Sequence, residues 1–292
     1  MIGIRRIKNL QRRISHYRLV KAVNAILTSA EHPDTRAAES DFERLQAGYA
    51  PFPDYGYDNV NVSRRASQRM ADVLRYVSPG DQKLAILDVA TGDGVLGTLF
   101  DAAGFAVSLC DQKDWRKPAA HAMAFSEADC CVELPYPSST FDIVTSFNSV
   151  EHFPDPAAAF SEIIRVTKSG GLIYLDFGPL YCSPWGLHAY RALRMPYPQF
   201  LFTSKFIDEK LASLGIHDLG EARSELQYVN QWKVSQYRKI WSNSDASNID
   251  SHYVQIDDFV DIVCKYPSSF IGRGLTYEEL TCSNIRVVFQ KY

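Results

Sequence analysis

The segment Leu84–Gly97, LAILDVATGDGVLG, constrains the fold more than any other part of the sequence, because a short apolar run passes through a glycine-rich turn straight into a helix. Such a unit belongs to a parallel α/β sheet, in which both faces are covered and ligands lie beyond the C-terminal ends of the strands. The spacing Gly92-x-Gly94-x-x-Gly97 also fits a loop that cradles a dinucleotide phosphate. Its acids oppose that ligand. Asp88 and Asp93 bring negative charge to where a pyrophosphate would rest on the helix N-terminus, so a cationic nucleoside suits the loop better. S-adenosylmethionine (SAM) carries an ammonium and a sulfonium and no phosphate.

An alternation of strands and helices follows the same plan. Strand Leu84–Val89 leads to a helix near Val95–Ala103 that Gly104 ends, and strand Ala106–Cys110 stops at Asp111. A strand near Ala122–Glu127 precedes Asp129, and a buried strand covers Phe141–Ser146. A helix over Asp155–Lys168, a Gly170-Gly171 turn and strand Leu172–Phe177 complete the regular part. After Gly178-Pro179 the pattern lapses until a helix at Ser204–Leu214, a strand near Ile216–Leu219 and a terminal strand at Ile285–Phe289. Before the glycine loop, the spacing predicts a helix from about Ser63 to Tyr76 with Ser63 as N-cap, broken by Ser78-Pro-Gly-Asp81.

With 292 residues the chain can bury one large core, or a core and a cap. It is 46% hydrophobic and 22% charged with a formal net charge of -3, which argues against a nucleic-acid-binding protein overall. It has no apolar run of about 18 residues and no secretion-signal core at its start, so a cytoplasmic location is expected. The six cysteines form no C-x-x-C pair and have no histidine at zinc-ligand spacing. They read as reduced thiols, and no metal is expected.

Residues 1–30 carry Arg5, Arg6, Lys8, Arg12, Arg13, Arg18 and Lys21 and no acid, while Ile7, Leu10, Ile14, Tyr17, Val20, Val23 and Leu27 recur at helical spacing. This basic amphipathic helix either packs on its own domain with a solvated basic face or makes peripheral contact with an anionic membrane. The aromatic stretch from Tyr49 to Asp58 reads as a lid, covering a ligand or packing its own loop down.

Taken in order, the acid-bearing glycine loop, the acids Asp111 and Asp129 after the next two strands, Phe141-Asp-Ile-Val-Thr-Ser, Glu151-His152 and the Gly-Gly turn resemble the class I SAM-dependent methyltransferases. The resemblance covers about residues 84–177. It is nearest to the group of ubiquinone/menaquinone-pathway C-methyltransferases and small-molecule O-methyltransferases. It implies a Rossmann-like, seven-stranded, mostly parallel sheet with helices on both faces. Residues 1–62 would form the basic helix and lid, and residues 63–292 the methyltransferase domain with cap insertions at about 178–203 and 221–281. Asp88, Ala90, Gly92 and Gly94 would surround the methionine portion of SAM. Asp111, with Gln112, would meet the ribose, Asp129 and Cys130 the adenine, and Asn148 the region beneath the sulfonium. Ala90 departs from the family, where glycine is common.

In the family, chain inserted after the fifth strand usually builds the acceptor pocket, which here offers Trp185, His188, Tyr190 and Arg191 beside Glu151. Trp185, Tyr190, Arg191 and Glu151 are expected to bind acceptor. His188 is the preferred base for an alcohol, and His152 is either a base or a structural neighbour of SAM. A loose resemblance of Gly178-Pro, Gly186-x-His188 and Pro198-x-Phe-Leu-Phe202 to methyltransferases of bacterial glycan pathways points towards sugars. The expected reaction is O-methylation of a small-molecule or glycan hydroxyl. C-methylation of a quinone-like ring, a non-catalytic SAM-binding interaction protein and an NAD-dependent oxidoreductase stay open, as does the oligomeric state.

Overall fold

A computed structural model describes residues 2–29, 35–53, 56–78, 80 and 83–292, and of residues 2–13 the backbone alone. The side chains of Arg5, Arg6, Ile7, Lys8, Leu10, Arg12 and Arg13 therefore lie outside the described residues, as do Asp54, Tyr55, Pro79 and Asp81. Helix α1 (Ile2–Thr28) is followed by α2 (Phe42–Ala47) and α3 (Asn59–Leu74). The alternating part comprises β1 (Ala85–Val89), α4 (Val95–Ala102), β2 (Ala106–Asp111), β3 (Ala124–Glu127), β4 (Phe141–Phe147), α5 (Pro156–Val166) and β5 (Thr167–Phe177). Then come α6 (Pro198–Leu201), α7 (Ser204–Leu214), β6 (Ile216–Asp218), β7 (Glu221–Arg223), α8 (Val234–Ser242), β8 (Ala246–Gln255), α9 (Val260–Lys265), α10 (Tyr277–Thr281) and β9 (Cys282–Lys291).

Seven strands form one sheet in the order β3-β2-β1-β4-β5-β9-β8. The first five are parallel, and β9 runs antiparallel to both β5 and β8. This is a Rossmann-like sheet with helices on both faces. Strand alternation sorts the core into two layers. Leu87, Val89, Val144, Ile173, Leu175, Val287 and Phe289 pack with residues of α5 and α8 on one face. Ile86, Ile143, Leu172, Tyr174 and Val288 pack with Ala66 and Val73 of α3 and Leu96 and Phe100 of α4 on the other. A third cluster joins Val23 and Leu27 of α1 to Phe42, Leu45, Leu193, Tyr197, Phe200, Val263 and Phe270.

Several expectations change. The N-cap of α3 is Asp58 rather than Ser63, because the Asp58 carboxylate accepts from the N–H groups of Val60 and Asn61 and starts the helix earlier. The strand near Ile216–Leu219 pairs only with β7, in a separate hairpin. The segment 221–281, expected as a cap, contributes β8 to the main sheet and α8 to its core, where Tyr237 and Trp241 pack on Phe177. In the basic helix, Val23 and Leu27 are buried in the chain's own core, whereas Ile14 and Tyr17 are 45% and 67% exposed. Among the described residues, no helix is long and apolar enough to cross a membrane.

Candidate active site

The strand order reverses between β1 and β4, and the crevice beyond the C-terminal ends of those strands is where an open α/β sheet binds ligand. Three loop glycines serve three different purposes. A Cβ on Gly97 would come within 2.5 Å of Leu109, so that glycine lets α4 lie close against β2. A Cβ on Gly94 would meet Ala120 at 2.7 Å. Gly92, at φ 57°, faces open space, and its N–H donates to Asp111 Oδ2 at 2.9 Å. Ala90 takes the left-handed conformation at φ 55°, so a turn that glycine would make freely is kept here at some strain.

Asp88 lies on the α3 face of the sheet and is 3% exposed. Its oxygens accept from Thr145 Oγ1 and Thr91 Oγ1, each at 2.7 Å. Burial pushes its pKa up to about 6 despite those bonds. Arg65 and Arg69 of α3 line the same cavity with Asp88, Asp93, Thr91, Ala90 and Phe147. The Arg69 guanidinium sits over the Phe147 ring at 4.9 Å, and the carboxylates of Asp88, Asp93 and Asp176 counter the burial that lowers its pKa. Two acids and two arginines around one cavity match a zwitterion, with one pole for an ammonium and one for a carboxylate. Neither arginine is among the residues expected from sequence. Their i, i+4 spacing on α3 was visible, but the acids they face come from the ends of two separate strands, β1 and β5.

Further along the sheet edge, Asp111 ends β2 with Oδ1 accepting from the Gln112 N–H at 2.8 Å. Each carboxylate oxygen thus holds a backbone amide and keeps a second lone pair. Burial raises its pKa and the amide bonds oppose the rise. Gln112 itself is exposed. Asp129 accepts from the Cys131 N–H at 2.8 Å, fixing the turn that buries Cys130. Asn148 directly follows β4 at φ 50°, exposed, with its N–H donating to Asp176 O at 2.7 Å.

The segment after Asn148 turns towards the insertion that follows β5. Glu151 is 1% exposed, and neither of its carboxylate oxygens has a hydrogen-bond partner. Burial raises its pKa to about 7. His152 Nδ1 lies 2.5 Å from Tyr228 O, and His188 Nε2 lies 2.7 Å from Pro179 O. The two imidazoles meet edge to face with centroids 4.9 Å apart. Burial pulls the His188 pKa down to about 4, so this ring is neutral in ordinary buffers. His188 also stands in the left-handed region, at φ 59°. One ligand atom from each of Glu151, His152 and His188 falls within 4.8 Å of the others. Sequence spacing suggested no such set, because His188 lies far along the chain from the Glu-His pair.

Trp185 meets Phe52 of the aromatic segment edge to face with centroids 5.3 Å apart, and Tyr190 packs on Phe52 at a tilt with centroids 4.4 Å apart. Arg191 pairs with Asp218 at 2.9 Å and donates to the Tyr57 hydroxyl at 2.7 Å. The aromatic segment therefore packs onto the insertion, and Arg191 helps to hold it there.

Residues 87–175 match the family described as Methyltransferase domain. A rice protein (Oryza sativa subsp. japonica), 2-methyl-6-phytyl-1,4-hydroquinone methyltransferase 2, chloroplastic, is 29% identical over 174 residues, covering 54% of this chain and 49% of its own length. The 27-O-demethylrifamycin SV methyltransferase of Amycolatopsis mediterranei (strain S699) is 29% identical over 155 residues, covering 50% of this chain and 56% of its own. The chain thus spans about half the length of these relatives. A solved S-adenosylmethionine-dependent methyltransferase from Mesorhizobium loti aligns with 75% of this chain and 96% of its own, at 16% identity and a TM-score of 0.47.

Proposed function

This chain belongs to the class I SAM-dependent methyltransferases through residues 87–175, and we propose that it transfers the SAM methyl group to a hydroxyl of a small-molecule or glycan acceptor, releasing S-adenosylhomocysteine. The observation that carries this reading is that Asp88 and Asp93 line one cavity in the β1–β4 crevice together with Arg65 and Arg69. The acids receive the ammonium of the methionine moiety, and the arginines receive its carboxylate. Asp111 accepts from the ribose hydroxyls, with Gln112 beside it, and Asp129 and Cys130 border the adenine. Gly92 and Ala90 let the backbone approach the ligand, Gly94 sets the turn, and Asn148 lies below the sulfonium.

Methyl transfer is an in-line displacement in which the acceptor oxygen attacks carbon as the C–S bond breaks. Holding the two reactants in line can supply about 7–11 kcal/mol of the barrier lowering. Trp185, Tyr190 and Arg191 with their lid partners shape and close the acceptor side, and Glu151, His152 and His188 stand at its floor. The lone pairs of the two histidines are the groups available to the acceptor hydroxyl.

O-methylation is favoured by the rifamycin relative, whose name describes an O-demethylated substrate. The hydroquinone relatives support C-methylation of a quinone-like ring as the second reading. Incubating cell extracts with the protein and methyl-labelled SAM, followed by mass spectrometry, tests the proposal. A protein-dependent product with labelled methyl on oxygen supports it, label on ring carbon favours the second reading, and SAM binding without any labelled product contradicts both.

A further inference from the structure

The buried carboxylate of Glu151 lacks a direct hydrogen-bond partner in a region where few unmet charges are tolerated. Among the described residues neither oxygen completes a hydrogen bond of good geometry, although the backbone N–H groups of Glu151 and Gly178 face it and favour its ionisation, as does His152, while Asp176 opposes it. A carboxylate left without compensation in the interior costs several kcal/mol, so such a group points to something that binds it.

The two histidines are arranged to supply what is missing. The Tyr228 carbonyl takes the Nδ1 hydrogen of His152, and the Pro179 carbonyl takes the Nε2 hydrogen of His188. Each ring is thereby fixed in the tautomer that leaves its other nitrogen with a bare lone pair, His152 Nε2 and His188 Nδ1. A backbone carbonyl on the outer nitrogen is the arrangement that orients metal-bound histidines. His152 Nε2 lies 3.9 Å from Glu151 Oε1, too far for a hydrogen bond. Two ligands of one tetrahedral ion with bonds of ~2.1 Å stand roughly 3.4 Å apart, within a small side-chain adjustment of that distance. The left-handed backbone at His188 carries a local cost that the surrounding structure must offset.

We propose that Glu151, His152 and His188 form a binding site for one divalent first-row transition-metal ion at the acceptor end of the active site. Two imidazoles and one carboxylate suit Mn²⁺, Fe²⁺, Co²⁺, Ni²⁺ or Zn²⁺ better than the oxygen-seeking Mg²⁺ and Ca²⁺. A dication neutralises Glu151 and satisfies both nitrogen lone pairs. Three protein ligands leave a coordination position open. The function of the ion rests on the methyltransferase reading, whereas its binding does not. An acceptor hydroxyl in the open position becomes more acidic and loses its proton to water. Its oxygen then bonds to the methyl carbon of SAM while the C–S electron pair returns to sulfur, giving the methyl ether and S-adenosylhomocysteine. The histidines then act as ligands, and no side-chain base is required.

The test uses the full chain, stripped with a chelator and titrated with Co²⁺, Zn²⁺ and Mg²⁺ by calorimetry and, for Co²⁺, by visible ligand-field absorption. The proposal expects one Co²⁺ or Zn²⁺ per chain, Mg²⁺ far weaker, and a loss of Co²⁺ affinity of about 100-fold or more in Glu151→Gln and in His188→Ala. SAM binding in both variants, measured separately, should stay near wild type and reports that the fold is intact. A stripped chain that binds SAM but takes up no ion overturns the metal site and leaves the methyltransferase reading standing. Equal ion uptake by the variants also overturns it. An ion held by these residues in a chain that does not bind SAM upholds the site and removes the methyltransferase reading.

Discussion

The backbone N–H of Gly92 donates to Oδ2 of Asp111 at 2.9 Å, so the loop after β1 is tied to the acid at the end of β2. The methionine and ribose ends of the candidate SAM site are thus set by one bond. Asp111→Ala removes both the ribose acceptor and the partner of the loop, and SAM affinity should fall by roughly 1.5–3 kcal/mol, about 10- to 150-fold. Calorimetric titration checks this, and unchanged affinity would remove Asp111 from the site.

Arg69 separates a zwitterion site from a plain cation site. If its guanidinium meets the methionine carboxylate, the wild-type chain should prefer SAM over decarboxylated SAM by about 10- to 100-fold, on the scale of a charged hydrogen bond. Arg69→Met should abolish that preference. Competition binding with the two ligands measures it, and a preference that survives in the variant would rule out this pairing.

The pKa of Asp88 predicts opposite pH effects with and without ligand. Its folded value of about 6 lies above the ordinary 3.8. Below about pH 4 the carboxyl is protonated in both the folded and unfolded chain and imposes no penalty. As pH rises towards 6 the unfolded chain ionises first, so the ligand-free protein loses stability, on the order of 3 kcal/mol in all. SAM affinity should instead weaken as pH falls through about 6, because the ammonium loses its partner. Denaturation and binding curves against pH for the wild type and Asp88→Asn check both signs, and Asp88→Asn should flatten both trends in that window.

Ala90 at φ 55° carries a strain that glycine would not. Relief of ~1–2 kcal/mol is partly offset by the ~0.5–1 kcal/mol entropic cost of glycine, so Ala90→Gly should be neutral or slightly stabilising. Ala90→Val places a β-branched residue in the same conformation and should destabilise by more than about 2 kcal/mol. Chemical denaturation of the pair is the measurement. Equal stability of the two variants would mean that the turn is not held in the left-handed region.

The sheet from β1 to β5 was legible because most of its strands are apolar runs with a glycine or an acid close by, and most boundaries fall within two residues of expectation; β5, expected from Leu172, extends back to Thr167. β8 was not legible. Its sequence, ASNIDSHYVQ, is mostly polar because it forms the outer edge of the sheet and buries little more than Ala246. The loop acids and Asp111 stood out by charge and position, and the fold brings them to one end of the sheet, where the Gly92 N–H donates to Asp111. Arg65 and Arg69 did not stand out, because a basic residue on an amphipathic helix looks the same whether it faces water or three distant carboxylates. Similarly, Glu151 and His152 stood out as a pair, but only the fold brings His188 to them.

The most direct test of the central claim is calorimetric titration of the purified chain with SAM and, separately, with NAD. One SAM should bind per chain, S-adenosylhomocysteine should bind at the same site, and SAM binding should be at least about tenfold weaker in Asp111→Ala. NAD should give no comparable heat. Saturable NAD binding with no SAM binding would contradict the claim.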